Sequence, residues 1–141
     1  VSGARALRCA LVGADSLLVE CGEILRGRGH EIVVVAAGSP KVADWAAGHG
    51  LPVVDAQGPA STWARDLASH DIEWLFSITH LSLLPDEVLA IPSAGAVNFH
   101  DGPLPAYAGL NTPAWALHLG ETEYGITWHA ITSGVDEGDV L

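Results

Sequence analysis

The sequence predicts an α/β domain in which a mainly parallel sheet is flanked by helices. Short apolar runs rich in Val, Leu and Ile alternate with segments of helical spacing along the chain, an order that feeds crossover units and not hairpins. Glycines punctuate this alternation, as at Gly13, Gly29 and Gly120. With 141 residues, 49% of them hydrophobic, and a mean hydropathy of +0.30, residues 1–141 suffice for one core and are read as a single domain.

The first strand is "ALRCALVG" (Ala6–Gly13), a short apolar run of the buried parallel kind. Asp15 or Ser16 caps the helix that follows, in which Leu17, Leu18, Cys21, Ile24 and Leu25 recur at helical spacing. "EIVVVAA" (Glu31–Ala37) is dominated by β-branched residues and forms the second strand. Gly38, Ser39 and Pro40 break the chain before a short helix carrying Val42, Trp45 and Ala46. "LPVVDA" (Leu51–Ala56) is a third strand, Thr62–Ala68 a helix and "IEWLFSI" (Ile72–Ile78) a fourth strand. One or two helical turns in "LPDEVLAIP" lead to a fifth strand, "GAVNFH". "TPAWALHLG" is a helix with Pro113 in its first turn and Gly120 at its end. "GITWHAI" (Gly125–Ile131) alternates as a last strand, and the strand-like run at "DVL" leads us to expect a domain cut short on its C-terminal side.

Charge narrows the function. Six Lys and Arg against 17 Asp and Glu give a net charge of −11, the wrong sign for a surface that tracks phosphates, so no nucleic-acid partner is expected. No apolar run approaches the ~20 residues of a membrane span. With no basic-then-apolar leader at the N-terminus, a cytoplasmic location is expected. Cys9 and Cys21 read as buried thiols, since a metal site would need more ligands at tighter spacing. His80, His118 and His129 are dispersed and take core or surface roles, and the five tryptophans (Trp45, Trp63, Trp74, Trp115, Trp128) read as core fillers.

The first strand-to-helix turn, "VGADSLL", has one glycine where a dinucleotide fingerprint wants three, so it reads as a tight turn or the seat of a small anion. Chemistry concentrates instead in "VNFHDGPLPAYAGLN". Asn98 and His100 stand two apart on a strand and therefore share a face. Asn supplies an N–H donor for a developing oxyanion, and His moves a proton near neutral pH. The loop after them is stiffened by Pro103, Pro105 and Gly109, as a preorganised site requires, and Asp101 is placed to cap it.

These residues, with "GVDEGDVL" downstream, resemble the 10-formyltetrahydrofolate-dependent formyltransferase family. The matching motif is Asn98-x-His100, then Leu104-Pro105-Ala106-Tyr107-Ala108-Gly109, then Asp136 in "VDEGD". "ETEYGITWH" and "SLLPDEVLAIPSAGAVN" fit the stretches around it, so the likeness runs along essentially the whole chain.

The resemblance implies a Rossmann-like catalytic domain that moves a formyl group from 10-formyltetrahydrofolate to an amine. It also implies catalytic roles for Asn98, His100 and Asp136, with Asp139 the alternative carboxylate. The family holds the pterin mostly by backbone groups of two loops. By position these carry Leu81, Leu83, Leu84 and Pro85 in one, and Ile131, Thr132, Ser133, Gly134 and Val135 in the other. The leucines serve equally well as core.

Where many members have Arg or Lys before the loop glycine, this chain has Ala108. The wording "DGPLPAYAGLN" is most similar to formylation domains of nonribosomal peptide and polyketide assembly lines. That implies an aminoacyl acceptor on a carrier protein, with other megasynthase domains as partners, although a small free amine also fits. The other reading is a formyltransferase-like docking or scaffolding domain without activity.

Overall fold

A computed structural model describes residues 5–141. The elements alternate as β1 (Arg8–Gly13), α1 (Ser16–Gly27), β2 (Glu31–Ala37), α2 (Pro40–Gly48), β3 (Val53–Asp55) and α3 (Ala60–Ala68). They continue as β4 (Trp74–Ser77), α4 (Asp86–Leu89), β5 (Gly95–His100), α5 (Thr112–Leu119) and β6 (Thr127–Ala130). The strands form one sheet in the order β3-β2-β1-β4-β5-β6. All neighbours are parallel except β5 and β6, which run antiparallel.

The apolar runs form strands because both sheet faces are covered. On one face Ala10, Val12, Leu75 and Ala96 pack with Trp63 and Leu67 of α3 and Val88 of α4. On the other, Leu11, Val35 and Ile78 pack with Leu18 of α1 and Val42 and Ala46 of α2. The Asp15 carboxylate caps α1 by accepting from the Ser16 N–H at 2.9 Å, and Ser39 caps α2 ahead of Pro40. Gly13 admits no side chain: a Cβ there would stand 1.8 Å from the Ile78 carbonyl oxygen.

Several strands are shorter than the apolar runs that announce them. β3 loses Leu51 and Pro52, since proline has no N–H for the ladder and contributes only its carbonyl, which accepts from Val35 at 2.9 Å. β1 begins at Arg8 and β4 at Trp74, where the parallel registers begin. Trp115 corrects the expectation that all five tryptophans fill the core. Helix α5 buries Thr112 and Ala116, one turn apart, and so turns Trp115 outward at 58% exposure. Among the described residues, no helix is long and apolar enough to cross a membrane.

The order reverses between β1 and β4. Chain direction leaves β1 toward β2 and β3 on one side and toward β4 and β5 on the other, opening a crevice beyond the carboxyl ends of the strands.

Candidate active site

Asn98 and His100 end β5 inside this crevice, in a cleft of about 930 Å³ that also takes in His129 and Asp136. Strand alternation sends Asn98 and His100 to the face of Ala96, while Phe99 points through the sheet to stack edge-on against Trp128. His100 is buried, and its Nε2 meets the Tyr107 carbonyl. A carbonyl only accepts, so Nε2 carries the hydrogen and Nδ1 faces the Asp136 carboxylate, 3.6 Å away.

Asp136 reaches the site from the loop after β6. The chain returns beside β6 through Ala130 N–H to Asp139 C=O at 2.9 Å and Leu141 N–H to Trp128 C=O at 3.0 Å. That closes the base of a loop whose far side bears Asp136 at φ 51°. Its Oδ2 accepts the Gly109 N–H at 2.8 Å, and its Oδ1 lies 3.4 Å from His129 Nε2. One carboxylate therefore stands between two imidazoles and is anchored by a backbone amide of the Pro-rich loop. Asp139, the alternative carboxylate, stays exposed at the loop base and outside the cleft wall.

His129 is the residue that sequence reasoning missed. It is buried at 3% exposure, where a core or surface role was expected. Its Nδ1 donates to the Ala130 carbonyl, leaving Nε2 to accept from Asn98 Nδ2 at 3.3 Å. The two are direct cross-strand partners in the β5–β6 register. Alternation in "GITWHAI" puts Thr127 and His129 on one face, but only the antiparallel pairing brings that face to Asn98 and His100. His80 also lines the cleft; it stacks edge-on against Trp63, and burial holds its imidazole below the usual range.

The two loops expected to bind a ligand both form cleft wall. Leu81, Leu83 and Leu84 line one side, and Ile131, Thr132, Ser133, Gly134 and Val135 the other. Leu81 and Leu83 are 80% and 70% exposed, so neither is core, whereas Leu84 is buried beside Val88. Pro85 stands outside the wall; its carbonyl accepts from Val88 and Leu89 and starts α4. Asp101 differs from expectation too: its carboxylate accepts the Thr112 hydroxyl at 3.1 Å and, among the described residues, no backbone N–H.

Fold and site thus define an α/β protein with two imidazoles, a carboxylate and an amide gathered at the carboxyl end of β5, in the cleft beyond the strand ends of its sheet. Residues 54–141 match the formyl transferase family, and the chain belongs to it. It is 36% identical over 74 residues to the GDP-perosamine N-formyltransferase of Brucella melitensis, covering 52% of this chain and 29% of that one. With the methionyl-tRNA formyltransferase of Geobacter metallireducens it shares 33% identity over 117 residues, 82% of this chain and 36% of that one. The chain therefore spans about a third of the length of these curated relatives.

Among solved structures, glycinamide ribonucleotide transformylase 1 from Symbiobacterium toebii superposes with a TM-score of 0.80 at 23% identity, covering all of this chain and 76% of that one. HypX from Aquifex aeolicus, solved in complex with tetrahydrofolic acid, gives a TM-score of 0.67 at 22% identity over 96% of this chain and 20% of that one.

Proposed function

We propose that the chain is an N-formyltransferase domain that moves a formyl group from 10-formyltetrahydrofolate to an amine. The observation that carries this reading is the Asp136 carboxylate set between His100 and His129, beside the Asn98 amide, in an open cleft. The folate occupies the part of the cleft walled by residues 81–84 and 131–135. A folate-bound neighbour of the same fold and membership of the formyl transferase family support a folate as the donor, and the exposed loop walls of the cleft support its placement there.

In the reaction the amine lone pair attacks the formyl carbon, and the carbonyl π electrons move to oxygen. Asn98 Nδ2 keeps one N–H free for that oxyanion beyond the one it gives His129. The amine loses a proton toward the Asp136 carboxylate, directly or through one water. His100 Nδ1, facing the same carboxylate, takes that proton over and delivers it to the folate N10 as the C–N10 bond breaks, which regenerates both the carboxylate and the neutral Nε2–H imidazole. The products are the formamide and tetrahydrofolate.

The acceptor proposed is an aminoacyl group on a carrier protein, or a small amine. The wording of the Pro-rich loop supports this, and the net charge of −11 argues against tRNA. Formyl transfer is to be compared among an aminoacyl-pantetheine thioester, an amino-sugar nucleotide and methionyl-tRNA. Transfer to the thioester, nearly abolished in His100→Ala while folate binding persists, is the expected result. Preference for tRNA overturns the acceptor assignment, and folate binding with no transfer to any amine favours the scaffolding reading.

A further inference from the structure

We propose that Thr127 is a positioning residue that fixes the His100 ring with its proton on Nε2 and its Nδ1 toward Asp136. The use made of the fixed ring rests on the formyl-transfer reading; the position of its proton does not.

Thr127 opens β6 directly opposite His100 in the antiparallel register and is 7% exposed. Its side chain reaches across to the Pro-rich loop and not to the imidazole. The hydroxyl donates to the Gly102 carbonyl at 2.7 Å and accepts the Leu104 N–H at 3.0 Å, so both of its hydrogen-bonding functions are engaged with one short stretch of backbone. From that stretch the path back to His100 is continuous. The Tyr107 N–H donates to the Pro103 carbonyl at 3.0 Å, and the Tyr107 carbonyl receives His100 Nε2–H. Gly102 packs directly against Tyr107, where a Cβ would lie 3.0 Å from Tyr107 Cβ and 2.9 Å from Thr112 Oγ1, so a shift at Gly102 is passed on to Tyr107.

The acceptor that decides the tautomer is therefore a main-chain carbonyl, and it is where it is because Thr127 ties down the residues before it. Asp136 faces the ring at Nδ1, 3.6 Å away, and the Tyr107 carbonyl is the partner of Nε2. Without the tie, the Tyr107 carbonyl drifts and the proton is free to move to Nδ1, where it meets the carboxylate. The reacting nitrogen then changes identity although no catalytic group has been removed. Thr127→Val keeps the β-branched shape and deletes the hydroxyl, whereas Thr127→Ser keeps the hydroxyl.

The test is long-range proton–nitrogen NMR of the full chain labelled with ¹⁵N-histidine, without substrate, at a pH where ordinary imidazole is neutral. In the wild type, His100 is expected to show the widely split nitrogen shifts of a single Nε2–H tautomer. In T127V the two shifts converge as the second tautomer fills. For formyl transfer to an aminoacyl-pantetheine thioester, kcat falls roughly 10- to 100-fold while the KM for 10-formyltetrahydrofolate stays within about 2-fold.

T127S keeps both the tautomer and kcat; it conserves the fold contacts and serves as the deciding variant should T127V not fold. A wild-type proton on Nδ1, an unchanged tautomer in T127V, or loss of the tautomer in T127S overturns the proposal. A protein that shows the predicted tautomers but transfers no formyl group leaves the positioning intact and sinks the functional reading alone.

Discussion

Replacing Asp136 by Asn probes the centre of the site with little change of shape. The amide oxygen can still accept the Gly109 N–H, which the carboxylate takes at 2.8 Å. What disappears is the charge, 3.6 Å from His100 Nδ1 and 3.4 Å from His129 Nε2. For an imidazole that becomes cationic during the reaction, a carboxylate ~3.5 Å away at an effective dielectric of ~20 contributes about 5 kcal/mol. Asp136 is 11% exposed, so solvent replaces only part of that. A residual 3–5 kcal/mol corresponds to a loss of ~10²–10⁴ in turnover, the range general acid–base help supplies. The assay is tetrahydrofolate release at saturating donor and amine, with folate affinity measured separately by calorimetry. Affinity should be nearly unchanged, since the folate is assigned to the loop walls. A D136N protein that folds and turns over within about 3-fold of wild type would falsify the electrostatic argument.

Two further outcomes follow from backbone approach and burial. Gly138→Ala places a Cβ 1.7 Å from the Ala130 carbonyl oxygen, where the Ala130 N–H to Asp139 C=O bond closes the loop base. It should cost roughly 1–3 kcal/mol in thermal melts and lower turnover by swinging Asp136 away from the imidazoles; unchanged melting and turnover would show that the loop base does not hold the site. Burial, and secondarily the Glu73 carboxylate, push the Cys9 thiol from 9.0 up to about 11. The unfolded thiol ionises first, so this contribution is whole below pH 9.0 and is lost as pH rises toward about 11. Stability should fall by on the order of 2 kcal/mol across that window, a slope that Cys9→Ala removes; an equal slope in the variant would assign the effect to other groups.

How much of this was legible in the chain depends on whether a feature is local or arises from pairing. β2 could be read to its ends because a β-branched run has one sensible backbone state, and every residue from Ile32 to Ala37 is buried as that run implies. Asn98 and His100 could be placed on one face from period-two alternation alone, and the structure puts both on the cleft side of β5. His129 could not. Its role depends on β6 running antiparallel to β5 with Asn98 opposite His129, and nothing in "GITWHAI" states a direction or a register. Trp115 failed for the complementary reason: α5 is apolar nearly all round, so its spacing does not say which side the sheet will bury.

The same distinction explains why the cluster is built from three separate segments. β5 alone supplies an amide and an imidazole two residues apart, but no strand can aim a carboxylate back at its own side chains. That requires a second segment crossing the first, and antiparallel β6 with its returning loop is such a segment. It sets His129 against Asn98 and then carries Asp136 over the end of β5. The Pro-rich loop closes the arrangement from the third side, giving the carboxylate the Gly109 N–H and His100 the Tyr107 carbonyl. Each titratable group is thus oriented by a main-chain group, His100 and Asp136 by the Pro-rich loop and His129 by the carbonyl of its neighbour Ala130 in β6. A site held this way tolerates Ala108 in the loop, because the residue there contributes only main chain to the path between Tyr107 and Gly109. It does not tolerate displacement of any one of the three segments, which is why substitutions at Thr127 and Gly138, neither of them placed to touch a substrate, are expected to weigh on turnover.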